Sequence, residues 1–210
     1  MAIDRQRKRE RKKTLLIFYL FQVPIANAEE VEEVFDSISY SKGACVVRML
    51  HEVLGPSAFR TGLQLYMKRH AYGNTETKDL WASLGEGSGL PVQRMMQSWT
   101  EQMGFPVLRV VNEEWSEHGV ALTLQQSWFL ADGCAISRTE KPLWTVPIVS
   151  GTSSSSTPNC QLFDTPEFVV NVALPGASSS AWVKLNLGHV VPLRVAYNPS
   201  LLERLVHGVK

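Results

Sequence analysis

Cysteine is scarce in this chain: three residues among 210, at positions 45, 134 and 160. An odd set so widely spaced, with no CxxC, excludes a disulfide scaffold and a thiolate zinc knuckle. Cys45, Cys134 and Cys160 are expected to be small buried or half-buried thiols. Long hydrophobic runs are also missing. The longest mostly apolar stretch, Thr14 to Ala26, is thirteen residues long and contains Gln22 and Pro24. It is too short for a stable membrane span. No glycine-rich loop leads into Lys-Ser/Thr, and there is no G-x-S-x-G turn. Phosphate cradling and a nucleophile elbow therefore have no support. Internal repeats are absent, and the formal net charge is only +1.

What is present is a globular balance of 44% hydrophobic and 20% charged residues, which excludes wholesale disorder. The length suits one large domain or two small ones. Charge is unevenly spread: residues 1–13 hold seven basic and two acidic residues, and the remainder carries a net −4. Such a block is expected to be solvated. With the apolar Leu15–Phe21 and then Ala26-Asn27-Ala28, it also has the layout of a signal peptide. A nucleic-acid patch is not supported, because no aromatic residues are interleaved with the basic ones. No N-x-S/T acceptor occurs, since Asn198 precedes Pro199, which disfavours secretion.

Residues 29–104 read as helical. Glu29–Phe35 is a short acidic piece. Tyr40–Leu54 carries Ala44, Val47, Leu50, Val53 and Leu54 at helical spacing. Gly55-Pro56 ends this helix and starts the next, through His70. Thr77 is the expected N-cap of a helix through Leu84, after which Gly85, Gly87 and Gly89 break the chain. From Pro91 a last helix places Val92, Met95, Met96, Trp99 and Met103 on one face, with Gly104 as its stop. This Met and Trp stripe reads as core packing.

Beyond Gly104 the period changes. Val107–Val111, Val120–Leu124, Leu143–Val149, Phe168–Leu174, Trp182–Leu187 and Leu193–Tyr197 are short, β-branched or aromatic stretches. Gly151–Pro158 and Pro175–Ser180 read as breaks between strands. Helices followed by strands imply an α+β chain with a small antiparallel sandwich.

Few constellations carry chemistry. His51-Glu52 is half of a zinc-protease pattern, but Gly55 stands where the second His must project onto the metal. His51 reads as a partly exposed helix residue. Tyr40, at the start of its helix and followed by Lys42 and the small pair Gly43-Ala44, presents a phenol that can donate to a developing oxyanion. On residue chemistry alone, packing is the commoner role for such a tyrosine.

The stretch Phe35–Gly55 resembles the segment after the zinc site in the gluzincin aminopeptidases, especially the puromycin-sensitive branch. Phe59–Tyr66 resembles that family's next helix, and Thr77–Trp81 with Ser88-Gly89 the helix and turn after it. Trp99–Val107 resembles the exit from the catalytic domain. Trp144–Ile148 and Trp182–Asn186 resemble landmarks of the family's β-sandwich, so the resemblance runs from about Val23 to Tyr197. It implies the helical C-terminal part of a thermolysin-like catalytic domain, then a small antiparallel β-sandwich. In that family two His of H-E-x-x-H and a further Glu hold zinc, and the motif Glu activates water. An acidic G-x-M-E-N residue binds the amino group of a peptide substrate, and a Tyr stabilises the tetrahedral intermediate. Tyr40 matches that Tyr. This sequence contains no H-E-x-x-H and no G-x-M-E-N, so no bound zinc is expected. Where relatives read G-F-Y-R, it reads Val191-Pro192-Leu193-Arg194.

The expected division is a leader without family counterpart at 1–22, a catalytic-domain remnant at 23–104, the sandwich at 105–198, and the start of a missing helical domain at 199–210. A foreign or mis-set start would account for the leader. The resemblance implies a cytoplasmic protein inactive alone, and the leader's layout implies a secreted one. With half of the catalytic domain missing, Met95, Met96 and Trp99 are an expected surface for self-association.

Overall fold

The computed structural model describes residues 37–102, 104–129, 143–153, 155–176 and 180–208. The expected piece Glu29–Phe35, Met103, Cys134 and the basic leader lie outside the described residues.

Helix α1, Ser37–Arg69, is interrupted at Gly55, whose φ of 74° and ψ of 157° are not helical. Glycine accepts that conformation, and Pro56 fits the first turn of the next segment but cannot continue the preceding ladder. Val46, Met49, Leu50 and Leu54 form the buried stripe of the first segment. Helix α2, Thr77–Ser88, has Glu76 at its N-cap, with Asp79 Oδ2 accepting the Glu76 N–H at 2.8 Å. Thr77 is thus the first helical residue and not the cap. The expected break at Gly85 and Gly87 does not occur, because both lie inside α2 and only Gly89, at φ 70°, stops it.

Helix α3, Val92–Thr100, buries Val92, Met95, Met96 and Trp99. Each aliphatic or thioether side chain so buried contributes roughly 1.5–3 kcal/mol before entropy. Gly104, at φ 76°, then turns the chain into the strands.

Strands β1 (Pro106–Ser116), β2 (Gly119–Trp128), β3 (Val146–Thr152), β4 (Ser155–Phe163), β5 (Glu167–Ala173), β6 (Val183–Leu185) and β7 (Arg194–Ala196) form two sheets, ordered β5-β2-β1-β7 and β4-β3-β6. Alternation sets their inner faces: Leu108 and Val110, Val120, Leu122 and Leu124, and Phe168, Val170 and Val172 are buried in one core with Val146 and Ile148 of the second sheet. One pair departs from the antiparallel expectation. β7 runs parallel to β1, with Val107 opposite Arg194, because it arrives from the far end of the chain with no hairpin to set its direction.

The expected break at Gly151–Pro158 is instead a hairpin. β3 runs to Thr152 and β4 starts at Ser155. Pro158 is tolerated because β4 is an edge strand whose register with β3 shifts between Ser150 and Thr152. Helix α4, Pro199–Gly208, closes the described chain. Asn198 Oδ1 caps it by accepting the Leu201 N–H at 2.9 Å, and Arg204 lies 4.2 Å over the Trp115 ring.

Candidate functional site

Tyr40 is the fourth residue of α1 and its side chain is 65% exposed. Ala44 and Val47, one and two turns on, are exposed on the same side. The opposite side of the helix carries the buried stripe, so the amphipathic pattern itself turns Tyr40 outward. Two cations fix this half of α1 to the rest of the molecule. Lys42 Nζ donates to Gln102 O at 3.2 Å, beyond the end of α3. Burial lowers the Lys42 pKa below its ordinary value. Arg48 Nη2 donates to Gly188 O at 3.2 Å, reaching the sandwich. Tyr40 thus sits on a helix held to the rest of the chain at two points.

The remaining chemistry-bearing residues do not gather around it. His51 Nδ1 lies 3.6 Å from Glu52 Oε1, and its ring meets Phe59 edge-on at 5.2 Å. Among the described residues no group of three His, Cys, Asp or Glu could hold a metal ion. The described donors therefore do not fit a zinc site. Cys45 and Cys160 are exposed rather than buried. On α1, Cys45 falls between Ala44 and the inward-facing Val46 on the outer side of the helix. A cleft of about 650 Å³ lies between α3 and the sandwich, with Arg94, Gln97, Glu101, Gln102 and Asp164 in its wall. Its lining includes neither Tyr40 nor any His or Cys, and it shares with the Tyr40 helix only Gln102, the acceptor of Lys42.

The expected self-association surface does not exist. Met95, Met96 and Trp99 are at most 1% exposed, all three lying in the hydrophobic core of the chain. Trp99 Nε1 donates to Thr145 O at 2.9 Å, and its ring lies 6.4 Å from Trp144. The Val191–Arg194 stretch has a structural role. Asn186 binds both Val191 N and Val191 O at 2.9 Å, and the Arg194 guanidinium lies 4.1 Å from the Phe129 ring centroid.

Sequence reasoning missed Lys42 and Arg48 as the residues that hold the Tyr40 helix. Lys42 gave no signal, since it follows the polar Ser39-Tyr40-Ser41 and not an apolar flank. Arg48 had none, its acceptor lying 140 residues away.

A helical unit carrying an outward tyrosine, joined to a β-sandwich, defines a class that comparison makes specific. Residues 4–99 match the Peptidase family M1 domain, a match that begins inside the stretch expected to be a leader. The chain is M1 aminopeptidase-like. It is 37% identical over 185 residues to the puromycin-sensitive aminopeptidase of Caenorhabditis elegans, covering 88% of this chain and 19% of that protein. It is 36% identical over 195 residues to aminopeptidase M1-A of Oryza sativa subsp. japonica, covering 90% and 21%. It is 33% identical over 189 residues to the glutamyl aminopeptidase of Bitis rhinoceros, covering 87% and 19%. The chain thus spans about a fifth of the length of these relatives.

Proposed function

We propose that this chain carries the transition-state tyrosine and the β-sandwich of a zinc aminopeptidase that removes N-terminal residues from peptides. In this reading residues 23–104 are the catalytic-domain part and 105–198 the sandwich. Tyr40 donates to the oxyanion of the tetrahedral intermediate. The observation that carries the reading is the exposed phenol of Tyr40 on a helix fixed by Lys42 and Arg48. Those residues lie in a chain about 36% identical to aminopeptidases across nine-tenths of its length. Zinc in such an enzyme supplies the Lewis acid and the activated water. In this reading the polypeptide, whose sequence has no H-E-x-x-H, is inactive alone, and its cytoplasmic setting follows from the resemblance to the puromycin-sensitive branch and from nothing in the site.

Two assays test this. The purified chain, with or without added zinc, is expected to give no hydrolysis of aminoacyl anilides, and chelator-sensitive turnover would overturn its inactivity. The role of Tyr40 is read in a hybrid, a relative whose matching helix is replaced by residues 35–55 of this chain. There Tyr40→Phe is expected to lower kcat by roughly 10²–10³, the scale of one lost oxyanion donor, while KM changes little. Equal kcat for the Tyr and Phe hybrids would reduce Tyr40 to a packing residue.

A further inference from the structure

The free edge of β5 carries an inference independent of the aminopeptidase reading. β5 pairs with β2 on one side only and ends its sheet. Alternate residues of an antiparallel strand point their N–H and C=O groups to opposite sides. Gln126 N donates to Pro166 O, and Leu174 N donates to His118 O. By that alternation Phe168, Val170 and Val172 are also bonded to β2, as the register pairs Leu124, Leu122 and Val120 with them. The backbone groups of Glu167, Val169, Asn171 and Ala173 therefore point to the edge.

Two of the edge carbonyls have side-chain partners, Glu167 O with Thr165 Oγ1 at 2.8 Å and Asn171 O with Gln161 Nε2 at 3.4 Å. Among the described residues no other hydrogen bond to these edge groups is seen. Of the usual guards of an edge the strand has only one charge, Glu167 at its first residue. The strand Glu-Phe-Val-Val-Asn-Val-Ala has no Lys, Pro or bulge, and its outward Val169 is 49% exposed.

We propose that two copies of this chain pair edge to edge through β5, antiparallel about a two-fold axis at Val170. In that register Val169 faces the partner's Asn171, and Glu167 faces the partner's Ala173. All four positions present edge-pointing groups, so each opposed pair exchanges two backbone hydrogen bonds. No like charges meet, and the buried row Phe168, Val170 and Val172 continues into the same row of the second copy. A closed two-fold contact uses up both edges and stops at the dimer. The long Gln161 contact is displaced by the new strand.

Light scattering across a concentration series of the whole chain tests this. The expected result is a mass rising with concentration from 23.5 kDa toward twice that value. Val169→Pro removes an N–H that points to the edge and leaves the β2 ladder intact, so it is expected to stay monomeric with an unchanged circular dichroism spectrum. Val169→Lys, which keeps the backbone donor and adds like charge at the contact, is expected to do the same and covers the case in which proline disturbs folding. The proposal is overturned by a wild type monomeric at its highest soluble concentration. A dimer that survives both substitutions, or growth into larger assemblies, overturns it equally.

Discussion

The Tyr197 hydroxyl accepts from Leu185 N at 2.8 Å and donates to Leu185 O at 3.2 Å. Burial raises its pKa from 10.0 to about 12, against a smaller opposing effect of the Leu185 hydrogen bond. The folded chain thus keeps this proton after the unfolded chain has lost it. Its stabilising contribution is complete below pH 10 and is lost as pH rises toward 12. The loss amounts to about 2–3 kcal/mol at 1.36 kcal/mol per unit. Lys42 acts the other way. Its pKa is lowered by burial, so the unfolded chain holds the extra proton between that lowered value and 10.5, and stability rises with pH there. Comparison with Tyr197→Phe cancels the lysine. At neutral pH that variant is expected to be less stable by about 1–3 kcal/mol, because Leu185 N–H loses its acceptor. Between pH 10 and 12 its stability should approach that of the wild type. Urea unfolding across that range checks it, and a constant gap up to the top of the range would refute the assignment. Tyr40 was singled out by the order of residues around it. Tyr197 was legible only as the end of a strand, because a hydroxyl's partner twelve residues away leaves no mark on local pattern.

Between elements, the crossing of α1 and α2 explains glycines that the sequence alone suggested were breaks. A Cβ on Gly87 would lie 2.6 Å from Gly62 N and 2.8 Å from Gly62 Cα. One on Gly62 would lie 2.7 Å from Leu84 Cα. The two helices approach so closely that backbone meets backbone, and only the missing Cβ atoms allow it. Helix propensity alone would favour alanine by about 1 kcal/mol. Overpacking opposes this more strongly, so Gly87→Ala is expected to lose about 1–3 kcal/mol. Gly85 lies in the same helix, but its added Cβ would meet nothing nearer than Leu90 O at 3.3 Å. Gly85→Ala should therefore remain more stable than Gly87→Ala by about 1 kcal/mol or more. Denaturant midpoints decide this, and a reversed order would mean that the crossing is not tight. Glycine serves both as a stop and as a close-contact residue, and spacing could not separate the two. β4 was lost for a related reason: its Ser-, Thr- and Pro-containing sequence has the composition of a loop, and pairing with β3 overrides it.

At the scale of the whole molecule, the change from helical to strand period located the two kinds of structure but concealed how firmly they are joined. Ser98 Oγ accepts the Thr145 N–H at 3.0 Å, and Trp99 Nε1 donates to Thr145 O at 2.9 Å. Gln126, 4% exposed, accepts from Trp144 N and donates to Trp144 O and Thr165 O. An ion pair between Arg94 and Asp164 spans the outside of the same junction. The polar partners are 18 to 70 residues apart, beyond what any local pattern reports. Bonds so buried are costly to leave half-made, so the two units are expected to unfold together and not in sequence. Far-ultraviolet circular dichroism follows the helices, and tryptophan fluorescence draws on six tryptophans, of which Trp99, Trp128 and Trp144 lie together at the junction. The two transitions should coincide in urea. Ser98→Ala leaves the Thr145 N–H buried without its acceptor and is expected to lower stability by about 1–3 kcal/mol. Because the junction belongs to both units, that loss should move both probes equally. A shift in fluorescence alone, or a first transition that melts the strands while helical signal persists, would show that α3 merely rests on the sandwich.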